Sequence, residues 1–556
     1  MRALPDVLKA TAFFVVSVFA VLVLLYGCGA SSADMNAEAP SMDGDVPDGD
    51  YPNDDGGDYD SNPGVVDGDA EEYIPPEDEV RLMSRPVIGD RFVFVLNRLA
   101  ETVVAIESST LNIQTVTVGR EPRFVTTLPN RDVALILNTG SDELAMLDME
   151  QDRLLIWPLA ERSFAGYNDI VVSPNGRFAI LFFNHLRMEP GDDLGALQQV
   201  AILDLSQMAN LSEDVSPFVV RSVGLNPVSV FYSTDNRRAF VTTDSGLTVI
   251  DLSTPDFTVI PNIPLEDQAG SSRDREVLIT PDGLFALVRR FESQSISLVD
   301  LYEGNRHSID LGATPTDMDL APDGKHVYVV LRGDDPMLGI IPVPNGFADQ
   351  EQIEWLPLDN GEGQIVLPTT GNTAVLFTNS VSSEQVTLLN LETRDMVVRY
   401  LSKGVEQVVI SPLGDRALVM HTKSPGDPNQ TTDIHERIDR SYGYSIVNLA
   451  NEAVVLTLSD ADQTEWVFTP EEEKLYLLVT NETTVKQVHI VNLSDPMGAQ
   501  VSTINLGSVP RDIGVMAGVL RTYVSQEHTE GRITFLDWDD DDMITVTGFE
   551  LNSEID

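Results

Sequence analysis

IVVSPNGRFAILFF (170–183), followed by AILDLS (201–206), decides how this chain folds. An apolar strand runs into a Pro-Asn-Gly turn and then into a second apolar strand. After a gap, a third strand ends in Asp followed by an apolar residue. The phrase returns as VFYSTDNRRAFVTTDSGLTVIDLS (230–253), as VLITPDGLFALVRR with SLVDL (277–301) and as MDLAPDGKHVYVVL (318–331). It returns again as VVISPLGDRALVMH with SIVNLA (408–450) and as WVFTPEEEKLYLLV with HIVNLS (466–494). Self-similarity with a period in the forties means stacked supersecondary units that bury their faces against neighbours, not one conventional core.

Each unit reads as four strands, a to d. In one unit they are REVLIT (275–280), LFALVRRF (284–291), SISLVDL (295–301) and RHSIDLG (306–312), with Pro281-Asp282-Gly283 between a and b. Pro presets φ at one corner of that turn and Gly accepts positive φ at the next. Strand b is nearly continuous in apolar residues, as FAILFF (178–183) also shows, so it is expected to be covered on both faces. The strands are rich in β-branched and aromatic residues and lack helical periodicity. These features predict an all-β protein, a β-propeller of four-stranded blades over residues 81–556.

Counting b–c hairpins gives ten, from RFVFVLN (91–97) to RTYVSQE with ITFLDW (521–538); the first has no obvious strand a. Ten exceeds the common range of four to eight blades. A single wide ring is expected; the alternatives are two smaller rings, or a decorated hairpin counted as a blade. The C-terminal stretch MITVTGFEL (543–551) is expected to pair near the N-terminus and close the ring. The residue ending strand c recurs as Asp148, Asp204, Asp251, Asp300, Asn390, Asn448, Asn492 and Asp537. A carboxylate or amide present in every unit serves every unit, so these are expected to cap the c–d turn and not to form a metal or catalytic site.

The 556 residues carry 88 Asp+Glu against 35 Lys+Arg, a formal net charge of −53. That balance argues against nucleic acid, whose phosphates need a basic footprint. It argues equally against docking of the folded part on an anionic membrane. Cys28 is the one cysteine, so intramolecular disulfides, cysteine-based zinc sites and a CxxCH haem site are excluded.

Residues 1–28 have the layout of a secretory signal. Arg2 and Lys9 form a positive start, and TAFFVVSVFAVLVLLY (11–26) is a 16-residue apolar run, short for a membrane span. The run ends in Leu25-Tyr26-Gly27-Cys28, which resembles the bacterial lipobox, with Tyr26 departing from the small or apolar residue usual there. The resemblance implies lipidation of Cys28, carrying acyl chains such as palmitate. Each buried CH₂ contributes roughly 0.8 kcal/mol to membrane anchoring. Gly29 stands where an Asp would favour retention at the inner membrane, so the resemblance places the protein in a bacterial cell envelope, at the outer membrane. Residues 29–80 hold 17 Asp or Glu and no Lys or Arg, the composition of a disordered, self-repelling linker. An EF-hand register started at Asp58 places Pro63 where the loop needs Gly, so calcium is not expected there.

The segments 173–183, 280–288, 321–330 and 411–419 with their Asp/Asn-Leu partners resemble the YVTN type of β-propeller repeat, shared by bacterial surface propellers and lactonase-like propellers. FVTTD (240–244) and LLVTN (477–481) come nearest to its signature.

Function on such a scaffold lies in loops of one face or in the central channel. Two repeats are stretched: Pro174 to Thr234 spans 60 residues and Pro412 to Pro470 spans 58. The excess falls between strands b and c, as HLRMEPGDDLGALQ (185–198) and KSPGDPNQTTDIHERIDRSYG (423–443). Both insertions belong on the same face and, in a ring of ten, opposite each other. The second carries His435, Glu436, Arg437, Asp439 and Arg440 beside Tyr442 and Tyr444, a mix of Arg and Tyr favoured at interface hot spots. His435, Glu436, Arg437, Arg440 and Tyr442 are therefore the candidate partner-binding residues. The competing reading is a mobile, solvated loop. In the first insertion Glu189, Asp192 and Asp193 near His185 offer oxygen ligands for a metal, a weaker reading. The seven histidines show no HxH or HExxH spacing, and there is no GxSxG elbow, P-loop or dinucleotide fingerprint. No cofactor is expected. The expectation is a lipid-anchored envelope propeller that binds a protein or glycan. The alternative, which rests on the family resemblance, is a lactonase-like hydrolase working in the channel.

Overall fold

The strand–turn phrase produces forty strands in ten four-stranded antiparallel sheets. The structure, a computed structural model, describes residues 85–159, 166–188, 195–265, 275–333, 335–481, 483–494 and 500–549. The unit Val80–Asp556 is described by itself; Cys28 and the linker 29–80 lie outside the described residues. Each sheet holds its strands in chain order, a–b–c–d. Blade 5 is typical, with strands Arg275–Ile279, Phe285–Arg290, Ser295–Asp300 and Arg306–Asp310. Leu287 pairs with both Leu278 and Leu298, so a central strand places its apolar residues between those of its neighbours.

Strands b and c are the apolar middle of every blade. Phe178–Phe182, strand b of blade 3, is buried throughout, and each such side chain contributes roughly 1.5–3 kcal/mol on leaving water. Ten apolar clusters form, one at each seam between consecutive blades. The tenth joins Met516, Tyr523, Ile533 and Phe535 of blade 10 to Val93, Val95, Val104 and Ile106 of blade 1. Ten blades with ten seams make a closed ring, and the expectation of one wide ring is met. Strands a of adjacent blades contact one another, which places them innermost.

Closure differs from the sequence expectation. Met543–Thr547 pairs with Arg532–Asp537 as strand d of blade 10, not with the N-terminus. The first blade supplies its own strand a, the two-residue Val87–Ile88. The seam is held by face-to-face packing instead, reinforced by Tyr523 Oη, which donates to the Pro86 carbonyl at 3.3 Å. With a complete four-stranded blade on each side, no strand among the described residues is left over to be exchanged.

The turns follow the local chemistry. All eight residues ending strand c accept from backbone amides two or three positions on. Asp148 accepts from Glu150 and Gln151, and Asp300 from Tyr302 and Glu303. Asn390, Asn448, Asp204, Asp251, Asn492 and Asp537 do the same. In five a–b turns a Ser or Thr closes the loop as well: Thr280 Oγ1 accepts from Phe285 N at 3.0 Å and donates to Asp282 at 2.6 Å. Gly283 has φ +68°, and a Cβ there would lie 2.6 Å from Phe240 of the preceding blade. Glycine at this corner therefore also lets the turn sit against its neighbour.

Blade geometry sorts the connections onto two faces. The a–b and c–d turns share one, the turn face. The b–c loops and d–a links share the other, the loop face. Strand a enters from the loop face, and in blades 2, 6, 8, 9 and 10 it carries a bulge within its first three residues. The extra residues are Arg123, Thr316, Glu406, Thr464 and Arg511, each set where the link meets the channel mouth. Bulges re-aim side chains. Thr316 Oγ1 donates across the seam to Gly363 O at 2.7 Å, and Arg511 pairs with Glu527. Glu406 has no side-chain hydrogen bond or ion pair among the described residues.

Candidate interaction face

The two insertions occupy the b–c positions of blades 3 and 8, on the loop face and five blades apart in the ring. In blade 3 the chain leaves strand b through a short 3₁₀ turn, His185–Arg187, whose Arg187 meets Asp169 at 3.2 Å. Residues 189–194, with Glu189, Asp192 and Asp193, lie outside the described residues.

The blade 8 insertion is folded. A 3₁₀ turn, Pro428–Gln430, leads to an α-helix, Ile434–Arg440. Asp433 caps the helix by accepting from His435 N and Glu436 N. A helix of this length is marginal alone, so its stability must come from the ring. Lys403 supplies it from the link between blades 7 and 8. Its side chain is fully buried, and Nζ donates at 3.0 Å to both the Ile438 and the Asp439 carbonyls. These carbonyls end the helix, where a cation is favoured. Burial holds the Lys403 amine below its ordinary pKa, opposed by Asp439. Ser424 N also donates to Asp439 O at 2.8 Å, closing the base of the insertion.

The five candidate residues separate into three groups. Glu436 accepts from Thr431 and pairs with Arg440 one turn later, so both are spent inside the insertion. Tyr442 lies at the start of strand c, Tyr442–Asn448, outside the insertion proper, with Lys423 Nζ 5.2 Å from its ring centre. His435 and Arg437 are exposed and have no side-chain partner among the described residues. The segment is solvated, with residues 432–437 exposed, and part of it is a capped helix latched at its end.

Sequence reasoning missed Lys403, which stands alone in a link with no pattern around it. It also missed the helix, although Asp433-Ile434-His435-Glu436 has the spacing of a capping box.

Beneath the insertion lies a contact with the form of a nucleophile and its base. His421 Nε2 is 2.7 Å from Ser445 Oγ, and His421 Nδ1 is 3.0 Å from the Gly404 carbonyl. The carbonyl only accepts, so Nδ1 carries the proton and Ser445 donates to Nε2. Ser445 is fully buried, out of reach of a substrate, and burial lowers the His421 pKa to about 4. The pair satisfies buried polar atoms and is a poor catalytic base.

The channel wall carries carboxylates at its blade 5–6 seam. Glu276, beside Arg289 at 2.8 Å, stands near Asp317 and Asp319. Burial, then the like charges of Asp317 and Glu276, hold Asp319 well above the ordinary carboxylate range. Asp317 also accepts from Ile365 N of blade 7 at 2.8 Å, so it ties blades together.

No protein-family model matches this sequence, and no curated protein matches it. Solved structures do. A eukaryotic initiation factor aligns over 81% of this chain and 94% of its own, with 10% identity and a TM-score of 0.47. Kuenenia stuttgartiensis hydrazine synthase aligns over 58% of this chain and 95% of its own, with 17% identity and a TM-score of 0.32. The Neurospora crassa Pan2 WD40 domain aligns over 54% of this chain and 85% of its own, with 13% identity and a TM-score of 0.31. The chain is a ten-bladed β-propeller, with WD40-type propellers among its structural neighbours.

Proposed function

We propose that this propeller is a binding module of the bacterial cell envelope, tethered to the outer membrane by lipid at Cys28, and that it captures a protein or glycan partner through its loop face. One observation carries the reading: the blade 8 insertion is folded and pinned to the ring by Lys403, while Arg437 and His435 are exposed and have no side-chain partner among the described residues. A segment needed only to join two strands has no use for a capped helix and a buried cation. Propellers commonly serve as interaction scaffolds, and a rigid element projecting from the ring limits the entropy lost on binding. Arg437 is the residue type most suited to anchor such a contact.

The test removes residues 423–443. The ring is expected to keep its β-sheet circular dichroism and cooperative unfolding but to stop capturing its partner from an envelope extract. Capture at the original level would overturn the assignment. The tether has its own test: Cys28→Ser is expected to abolish palmitate labelling, and labelling that persists would refute it.

A further inference from the structure

Beside the insertion the loop face leaves an apolar rim uncovered. Val381 is 63% exposed, Tyr400 76%, Ile434 57% and Leu458 42%. They come from four segments that interlock. Val405 N donates to Ser383 O, Thr422 N to Gly404 O, and Lys403 Nζ to the end of the helix that begins with Ile434. Leu458 lies across strand c from that helix, opposite Gly443. Blades 7 and 8 thus present, on one face, a rim of large apolar side chains around a fixed helix. Large exposed apolar side chains on adjoining segments of one face suit a docking surface.

Charge decides what fits. On the channel side of the rim stand Glu406, the bulged residue of blade 8, and Asp462, which opens strand a of blade 9. Neither has a cationic partner among the described residues. Glu406 and Asp462 are both exposed to solvent at the mouth, and they stand close enough for their charges to repel each other. A cation brought between them would relieve both. The long-range field agrees in sign, because a chain of net charge −53 steers basic partners inward and repels acidic ones.

Resting on the binding reading above, we propose that the rim of Val381, Tyr400, Ile434 and Leu458 docks a basic, apolar-anchored segment of a partner protein. The apolar side chains of that segment cover the rim. Its Lys or Arg side chains reach Glu406 and Asp462 at the channel mouth.

The experiment uses residues 81–556, whose ten seams are complete without the N-terminal segment. A short fluorescent Lys/Leu peptide is titrated by anisotropy, with a Glu/Leu peptide in parallel. Glu406→Gln with Asp462→Asn is expected to weaken the Lys/Leu peptide roughly tenfold, as is Tyr400→Ser with Ile434→Ser. Asp282→Asn with Asp323→Asn, an equal change of charge on the turn face, is expected to leave affinity within about twofold. Equal weakening by the turn-face pair would mean diffuse attraction to an acidic protein and would overturn the proposal. Preferential binding of the Glu/Leu peptide would overturn it too. If the Lys/Leu peptide fails while deletion of 423–443 still abolishes capture from extract, the binding face stands and the partner chemistry falls.

Discussion

Replacing Lys403 by Met should release the blade 8 insertion while leaving the ring intact. Lys403 makes two charge-assisted hydrogen bonds, to Ile438 O and Asp439 O, from a fully buried position. Such bonds contribute about 1.5–3 kcal/mol each. Part of that is offset because the variant no longer buries a charge. The net loss is about 2–4 kcal/mol, and it falls on one element. The helix Ile434–Arg440 has little stability of its own. Opening of the insertion should therefore become about 30-fold to 1,000-fold more frequent. Amide hydrogen exchange reads this directly. Arg437 N and Ser441 N, which donate to Asp433 O and Ile438 O, should lose protection by that factor. Strand amides of blade 8, such as those of Leu418 and Ile446, should keep theirs. The denaturation midpoint should move little, because none of the ten seam clusters contains the insertion. Unchanged protection at Arg437 and Ser441 would refute the latch. Equal loss in the strands would show that Lys403 supports the ring as a whole.

Two further outcomes follow from the same geometry. Asp319 keeps its proton to higher pH in the folded ring than in the unfolded chain, so between those two pKa values the folded state binds more protons and stability falls as pH rises. Asp319→Asn removes the ionising group; its melting temperature should exceed the parent's at pH 7, and the gain should shrink as pH falls toward the ordinary carboxylate pKa. A parent profile that climbs through this range, or a variant less stable at pH 7, would contradict the sign. Asp148 is buried and caps the c–d turn of blade 2 through Glu150 N and Gln151 N; Asp148→Ala should cost about 1–3 kcal/mol in urea unfolding with an unchanged m-value, and no loss would mean that water or backbone rearrangement replaces the cap.

What could be read from the sequence was whatever the chain decides over short distances. The turn Pro281-Asp282-Gly283 and the Asp300 cap involve partners within five residues, so they repeat visibly and set both blade count and topology. The two insertions were legible for the same reason, as breaks in a regular period. Contacts across a seam were not. Nothing around Lys403 marks it as the anchor of a helix thirty-odd residues on, and nothing in PTDMDL (315–320) announces that Asp319 will stand beside Glu276 of another blade. The bulge at Glu406 is hidden as well, because an extra residue in strand a shows only against its pairing partner. The expected strand exchange at Met543–Thr547 failed on a similar point: an uncharged β-branched strand reads alike whether it closes a ring or merely edges the last blade.

The separation between repeat and insertion has a physical consequence for where recognition can develop. The seam clusters draw chiefly on strands b and c with parts of a and d; the blade 8 insertion enters none of them, and the blade 3 insertion touches one only through Ala196. Residues can therefore be added at a b–c position without altering the angle between blades or the closure at Tyr523 and Val93. An added loop does lose conformational entropy when it orders, and a ring that offers only its rim gives little apolar area in return. Lys403 resolves that conflict with a single buried cation placed on the neighbouring link, where its Nζ bonds the helix end. The helix is thereby fixed without being absorbed into the core, and Ile434 and Arg437 stay exposed. The rule that makes Asp148 and Asp300 scaffold, recurrence in eight of the ten blades, makes Lys403 and Glu406 the informative residues, since each occupies a position that the other blades fill differently.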